Sequence, residues 1–497
     1  MQHEQLLAYD MGTSGVKASI IAADGTVIGT QTEPYPTHYA RGGIAEQNAE
    51  DWWNGVCRAT RALIERSPDS RTKIAAIGVS GHMLGCVPVG KNLEPLHPHL
   101  IHSDSRAAEQ YDQICREVGA QRLYQMSGNI LDARSSLCKV LWFRQCCPEI
   151  YEKTEKFLQS KDYIVAKLTG NPDTTDYSDA SHGELMNITT HSYEPALFQQ
   201  LHIDMSKLPA LHSSCDIVGH VTQDSAGKLG LPAGIPVIAG GGDGACGSAG
   251  AGNLHPGDAY LSLGTTAWIA SVTEKPVIDP KQRLFNIMNL DGQTSSVYGT
   301  MQAAGGSVNW VRELLGVGLE EMNRLAAEVE PGCEGLVYLP YLDGERSPVF
   351  DAQASGVFAG VNQIHKNGHF CRAVFEGVAY ALRQIADAQR EFLPLTHVRA
   401  IGGGMKSALW SQILADVTRL ELQTIPAPAE DATSLGIAAV AGSAVGVFES
   451  IDQALAGFRP NGVIRPGTEN QKYEHMYQVY TMLYPALRDT MHFLRQQ

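Results

Sequence analysis

Hydrophobic residues along this chain fall into two interleaved patterns. Short apolar runs that close on Gly or Asp predict strands at 6–12 (LLAYDMG), 18–25 (ASIIAADG), 74–81 (IAAIGVSG), 235–243 (IPVIAGGGD), 259–265 (AYLSLGT), 336–342 (LVYLPYL) and 398–404 (VRAIGGG). Between them the spacing changes to three and four residues, notably over 49–66 and 369–393. In the second stretch Phe370, Val374, Phe375, Val378, Leu382 and Ile385 share one helical face. Strands interleaved with helices predict a layered α/β architecture.

The pattern also repeats. YDMGTSGVKASIIAADGTVIG and LSLGTTAWIASVTEKPVI each read as strand, Gly-hydroxyl turn, strand, second turn, and Gly12 and Gly264 stand 252 residues apart, about half the chain. A chain of 497 residues exceeds the size of one hydrophobic core, so two similar α/β domains are expected, 1–252 and 253–497. The join carries seven glycines in VIAGGGDGACGSAGAG (237–252), with Asp243 as its one charge. Glycine is costly to order, so a run this dense predicts a hinge, a site, or both.

Composition narrows the function. The net charge of −15 and the absence of any dense Lys/Arg cluster argue against a nucleic-acid or anionic-membrane surface. The ten cysteines lack paired metal-ligand spacing, which fits free thiols in a cytoplasmic protein. No uncharged stretch is long enough to span a bilayer, and an acid interrupts the N-terminus before a signal-type run can build.

DMGTSGVK (10–17) puts an acid at a strand end, then Gly12, Thr13, Ser14 and, past a second glycine, Lys17. Such a turn can hold phosphate oxygens on backbone N–H groups and hydroxyls, with Asp10 placed for Mg²⁺; an ordinary Asp-Gly hairpin is the alternative. The Walker pattern is not met. SLGTT offers a second turn at Gly264, Thr265 and Thr266, and AIGGGMKSALW a third glycine-rich strand exit at 402–404. Together the three predict a nucleotide held between two domains. Trp52 and Trp53 read as packing, Glu345 and Arg346 as an ion pair holding a loop, and His97, His99 and His102 as lacking the partner a metal site needs.

The set DMGTSGVK, GGGDG, SLGTT, YLDGERSP, SGVFAGVNQIHKNGHFCRAVFEGVAYAL and IGGGMKSALW resembles the FGGY carbohydrate kinases, and among them the xylulokinase group, from about residue 5 to about 445. Residues 356–377 fit the family's second signature throughout; SLCKVLWFRQ meets the first in part, keeping Lys139 and Trp142. The resemblance implies two ribonuclease-H-like, actin-type ATPase domains with ATP and sugar in the cleft, and no nucleic-acid or membrane partner; a homodimer is an assembly it admits. It implies Asp243 as catalytic base, Asp10 on Mg²⁺ and the phosphates, Thr13 and Ser14 toward the γ-phosphate, Thr265 toward the β-phosphate, and Lys17 among the ATP-binding residues. Gly12, Gly264, Thr266, Gly305, Asn309, Gly403, Gly404 and Ser407 would hold the rest of the ATP. On the sugar side it implies His82, Met83, Asp104 and Asp243.

The expected reaction is phosphorylation of a primary hydroxyl of a small ketose, D-xylulose to D-xylulose 5-phosphate. Another ketose, a polyol or an aldonate is the alternative, and an actin-type ATPase without transfer a more distant one. The departures from the family pattern all fall on the sugar side. His82-Met83-Leu84-Gly85 stands where Gln-Met-His-Gly is usual, His102-Ser103 replaces Trp-Asn, and Gly244 replaces Asn or Gln.

Overall fold

Strand β1 (Gln5–Met11) reverses at Gly12 into β2 (Gly15–Ala22), which reverses again into β3 (Val27–Pro34). The chain returns through α1 (Ala49–Arg66) to place β4 (Ile74–Gly81) parallel to β1. After a long helical insertion, β5 (Ile217–His220), β6 (Pro236–Ile238) and the two-residue β7 (Gly241–Gly242) complete a seven-stranded sheet. The computed structural model describes residues 4–425, 432–455, 460–467 and 470–495.

The second half repeats the plan. Strands β8 (Ala259–Leu263), β9 (Ala267–Thr273), β10 (Phe285–Met288), β11 (Ser295–Met301), β12 (His397–Ile401), β13 (Glu421–Thr424) and β14 (Gly462–Ile464) form another seven-stranded sheet. In both halves three antiparallel strands lead, through the first of them, to two parallel ones: β3-β2-β1-β4-β6 and β11-β9-β8-β12-β13. The half-chain repeat in the sequence is therefore a repeat of topology.

Alternation along β1 explains the layers. Leu7, Tyr9 and Met11 face α1 and α3 (Ser160–Thr169) in one core, with Trp52 wholly buried there. Leu6 and Ala8 face the opposite way, into a second core between the two sheets. That middle layer holds two helices, α5 (Asp243–Gly250) and α9 (Ala432–Ala444), before the second sheet contributes Tyr260, Ala270 and Tyr298. The outer face of the second sheet is covered by α6 (Gly305–Leu315), α7 (Asn367–Arg390) and α8 (Ala408–Thr418).

Helix α9 belongs to the second half of the chain yet packs on β1 and β4 of the first. Its Leu435, Ile437 and Val440 are buried, each contributing about 1.5–3 kcal/mol by the usual scale for a buried aliphatic side chain. It crosses α5 so closely that a Cβ on Gly436 would overlap the Cys246 carbonyl, and one on Gly250 the Ala432 carbonyl. The glycine run is thus largely a packing device. Gly240, at φ +76°, likewise backs onto the Val79 carbonyl, and Gly242 onto Met83. At Gly244 and Gly247, by contrast, a Cβ would find ordinary spacing, 3.5 Å from Ile287 and 3.6 Å from Thr433.

The insertion between β4 and β5 includes α2 (Ser136–Cys146) and the short α4 (Tyr177–His182) and builds its own core. It also meets the second half at the edge of β10, where the backbone N–H groups of Asn286 and Met288 donate to Asn129 Oδ1 (3.1 Å) and Ser181 Oγ (3.1 Å). No helix among the described residues is long and apolar enough to cross a membrane.

Candidate active site

Asp243 is the first residue of α5, and the turn that carries it is fixed from three sides. The Gly242 N–H donates to Ser178 Oγ at 2.9 Å, Ser178 donates to Asp176 at 2.5 Å, and Asp176 pairs with the buried Lys161 at 3.0 Å. On the far side Tyr298 donates to the Gly244 carbonyl at 3.2 Å. The Met83 side chain fills the space beside Gly242. Among the described residues the carboxyl accepts one hydrogen bond, from the Gly244 N–H at 2.7 Å.

Burial pushes the Asp243 carboxyl up to about 7, the neighbouring Asp10 carboxylate adds to the rise, and the Gly244 N–H opposes it. A helix N-terminus ordinarily holds a carboxylate low. Desolvation and a like charge outweigh that here. Asp10, at the end of β1, is raised to about 6 by burial, with Lys17 directly opposite on β2 working against the rise. Two partly protonated carboxyls facing one space make a proton acceptor whose state changes near neutrality.

The three turns lie at the carboxyl ends of the paired central strands. Gly12, Thr13 and Ser14 follow β1, with Ser14 exposed; Gly264, Thr265 and Thr266 follow β8, the first two exposed; and Gly403 and Gly404 follow β12. Gly402 sits at φ +106° against the Leu263 carbonyl, which a side chain could not tolerate, and Gly403 opens to solvent. Two residues serve differently from the sequence expectation. The Gly305 N–H is taken by the Gly264 carbonyl at 2.9 Å, so Gly305 braces the second turn rather than donating to a nucleotide. Ser407 caps α8 by accepting from the Trp410 N–H at 3.1 Å and donates to Asn323 Oδ1. Asn309 is exposed one helical turn beyond Gly305.

The sugar-side residues divide. His82 follows β4, is 3% exposed, and has both ring nitrogens unpartnered among the described residues; so does the wholly buried His99. The rings of His99 and His102 stand 5.2 Å and 6.1 Å from that of His82, with Trp52 packed edge-on against His82 and His99. Burial holds His82 down to about 3, so it stays neutral, with one nitrogen a donor and the other an acceptor. Met83 contacts the Asp243 turn directly. Asp104 does not join them. It is fully buried and accepts from the Ala45 N–H at 2.7 Å and from Arg106 at 2.6 Å, so its carboxylate shapes the chain and has no free oxygen for a hydroxyl.

The expected Glu345–Arg346 ion pair does not form. Glu345 instead accepts from the Gln302 and Arg346 backbone N–H groups, both at 2.7 Å. The Arg346 guanidinium lies over the Phe285 ring at 5.6 Å, near Arg134 and Asp132, and makes no ion pair among the described residues. Burial and Arg134 lower it to about 10. His102 and Arg346 carried no functional weight in the sequence, because replacement of a family residue and a loop ion pair were the available readings of each.

A duplicated α/β fold, a phosphate-type turn after the first strand of each half, and one desolvated carboxylate between the halves define a two-domain phosphotransferase. Comparison with known proteins specifies it. The N-terminal-domain model of the FGGY family of carbohydrate kinases matches residues 5–250, and the C-terminal-domain model residues 259–445. The chain is 34% identical to the xylulose kinase of Staphylococcus epidermidis over 493 residues, 97% of each chain, and 27% identical to the gluconokinase of Bacillus subtilis over 90% of this chain and 89% of that one. The crystal structure of the xylulose kinase from Rhodospirillum rubrum superposes with a TM-score of 0.91 at 28% identity, covering 98% of this chain and 100% of that one. This chain belongs to the FGGY family of carbohydrate kinases and is an ATP-dependent sugar kinase.

Proposed function

We propose that the enzyme transfers the γ-phosphoryl group of ATP to the primary hydroxyl of a small ketose, D-xylulose, giving D-xylulose 5-phosphate, with Asp243 as general base. The reading is carried by one arrangement: a desolvated carboxylate at the start of α5, its flanking glycines packed by Met83 from the histidine-lined side and its charge facing Asp10 from the phosphate-turn side. Asp243 accepts the proton of the attacking hydroxyl, and the remaining work is positioning and charge neutralisation. Thr13, Ser14 and Lys17 hold the γ-phosphate side. Gly12, Gly264, Thr265, Thr266, Gly403, Gly404 and Asn309 border the rest of the nucleotide.

A magnesium ion fits beside Asp10, a half-buried oxygen donor whose charged form is disfavoured until a cation is near. When bound, the ion would neutralise phosphate charge. His82 and His102 offer ring nitrogens to sugar hydroxyls, and the ten free thiols together with ATP as donor support a cytoplasmic setting.

An aldonate acceptor is the second reading, favoured by the unpaired Arg346 guanidinium, which could receive a carboxylate, and by the similarity to a gluconokinase. A coupled ADP assay over pentuloses, hexuloses, polyols and aldonates decides between them. The ketose reading expects the highest kcat/KM with D-xylulose, and a preference for an aldonate by tenfold or more replaces it.

Because Asp243 must be deprotonated to act, kcat/KM measured at subsaturating ATP and sugar should rise with pH and level off above about 7. Below that limb the proton occupies the acceptor oxygen; above it the base is open. A limb near 4, the ordinary carboxylate value, would place the titrating group elsewhere.

A further inference from the structure

The segment from His82 to Gly85 leaves β4 and runs without strand pairing past the proposed acceptor site. Its carbonyls are taken by side chains: His82 accepts from Ser160 Oγ at 3.0 Å, Leu84 from Lys139 Nζ at 2.5 Å, and Gly85 from Ser136 Oγ at 3.0 Å. The Gly85 N–H donates to Gln159 Oε1 at 2.8 Å. Leu84 itself stands at φ +60°, a left-handed conformation unfavourable to a branched side chain, so the segment needs such restraint.

Lys139 differs from the other restraints in reaching a second segment. Its ammonium, wholly buried on α2, also donates to the Ile101 carbonyl at 2.7 Å, the residue immediately before His102. Both acceptors are uncharged carbonyls, bonds that hold an ammonium in place without the neutralising oxygen of a close ion pair. One charged group therefore ties the wall bearing His82 and Met83 to the wall bearing His102. Burial disfavours protonation of His82, His99 and His102, and the same ammonium adds to it, keeping the rings able to accept as well as donate.

We propose that Lys139 is a positioning residue for the acceptor sugar, setting the separation of the Met83 and His102 walls without touching the sugar. This rests on the assignment of that chamber to the acceptor. The nucleotide turns at 12–14, 264–266 and 402–404 lie on other strands, so the effect should be confined to one substrate.

The test uses the full-length enzyme and whichever acceptor the wild type turns over with the highest kcat/KM. In Lys139→Met, which keeps the stem and removes both donated bonds, the KM for that acceptor should rise about thirtyfold or more while the ATP dissociation constant stays within twofold. Adding Leu84→Gly, which removes the cost of the left-handed residue, should recover at least threefold of the loss. Should Lys139→Met fail to fold, Lys139→Gln, which keeps an N–H donor without the charge, carries the same comparison. A folded variant with an acceptor KM within threefold of wild type overturns the proposal, as does an equal rise for acceptor and ATP. His102→Ala separates that failure from a misplaced chamber: if the chamber lies elsewhere, His102→Ala also leaves the acceptor KM unchanged.

Discussion

Asp243→Ala should lower kcat by about a thousandfold or more, the scale of a lost general base, while ATP binds within twofold of wild type. The separation is expected because, among the described residues, the carboxyl makes no hydrogen bond or ion pair that joins one element to another. Its one hydrogen bond comes from the adjacent Gly244 N–H, whereas the turn is braced through Ser178, Tyr298 and Met83. Thermal unfolding should move little, and in the ligand-free protein it should rise if it moves at all, since removal of a desolvated carboxyl beside Asp10 relieves a like-charge pair. Steady-state kinetics with a nucleotide titration check both halves. Turnover above about a tenth of wild type would take the base role from Asp243.

The second large effect concerns the fold. Gly436→Val should destabilise the enzyme by about 3 kcal/mol or more, or prevent its accumulation as folded protein, because backbone atoms rather than yielding side-chain tips occupy the space a Cβ would need. The Cys246 carbonyl and the Gly250 N–H both stand there, on the helix that begins with Asp243. Denaturant unfolding and soluble yield measure it. A Gly436→Val protein with wild-type stability would mean that α5 and α9 separate more readily than their packing implies.

Much of this was legible in the sequence. Strands that close on Gly or Asp leave a clear mark, and the predicted runs at 6–12, 74–81, 259–265 and 398–404 all contain strands of the two sheets. The predicted helices at 49–66 and 369–393 correspond to α1 and α7. Helix α9 gave no such mark. ATSLGIAAVAGSA is apolar on every face because sheets lie on both sides of it, and a helix buried all round has no period to read.

The glycine run predicts a hinge or a site, and the structure makes it largely a packing device, since sequence shows that a side chain is missing and not what fills its place. Asp104 shows the converse. A short-range motif matched, but the partner that consumes its carboxylate, Arg106, could equally have pointed to solvent. Lys139 stood out only as part of a family signature. What it joins, Leu84 and Ile101, lies 55 and 38 residues away, beyond any local pattern.

The placement of α9 bears on how the chain is made. As the polypeptide leaves the ribosome, the first sheet can assemble and cover one face with α1 and α3, but Leu6, Ala8, Ile21 and Ala76 on its other face wait for residues 432–444. For most of the time the chain takes to synthesise, that apolar face has no permanent cover. The two halves are therefore a duplication in topology but a single unit in biogenesis, and a fragment ending at the midpoint would carry an open, aggregation-prone surface where the intact enzyme has α9.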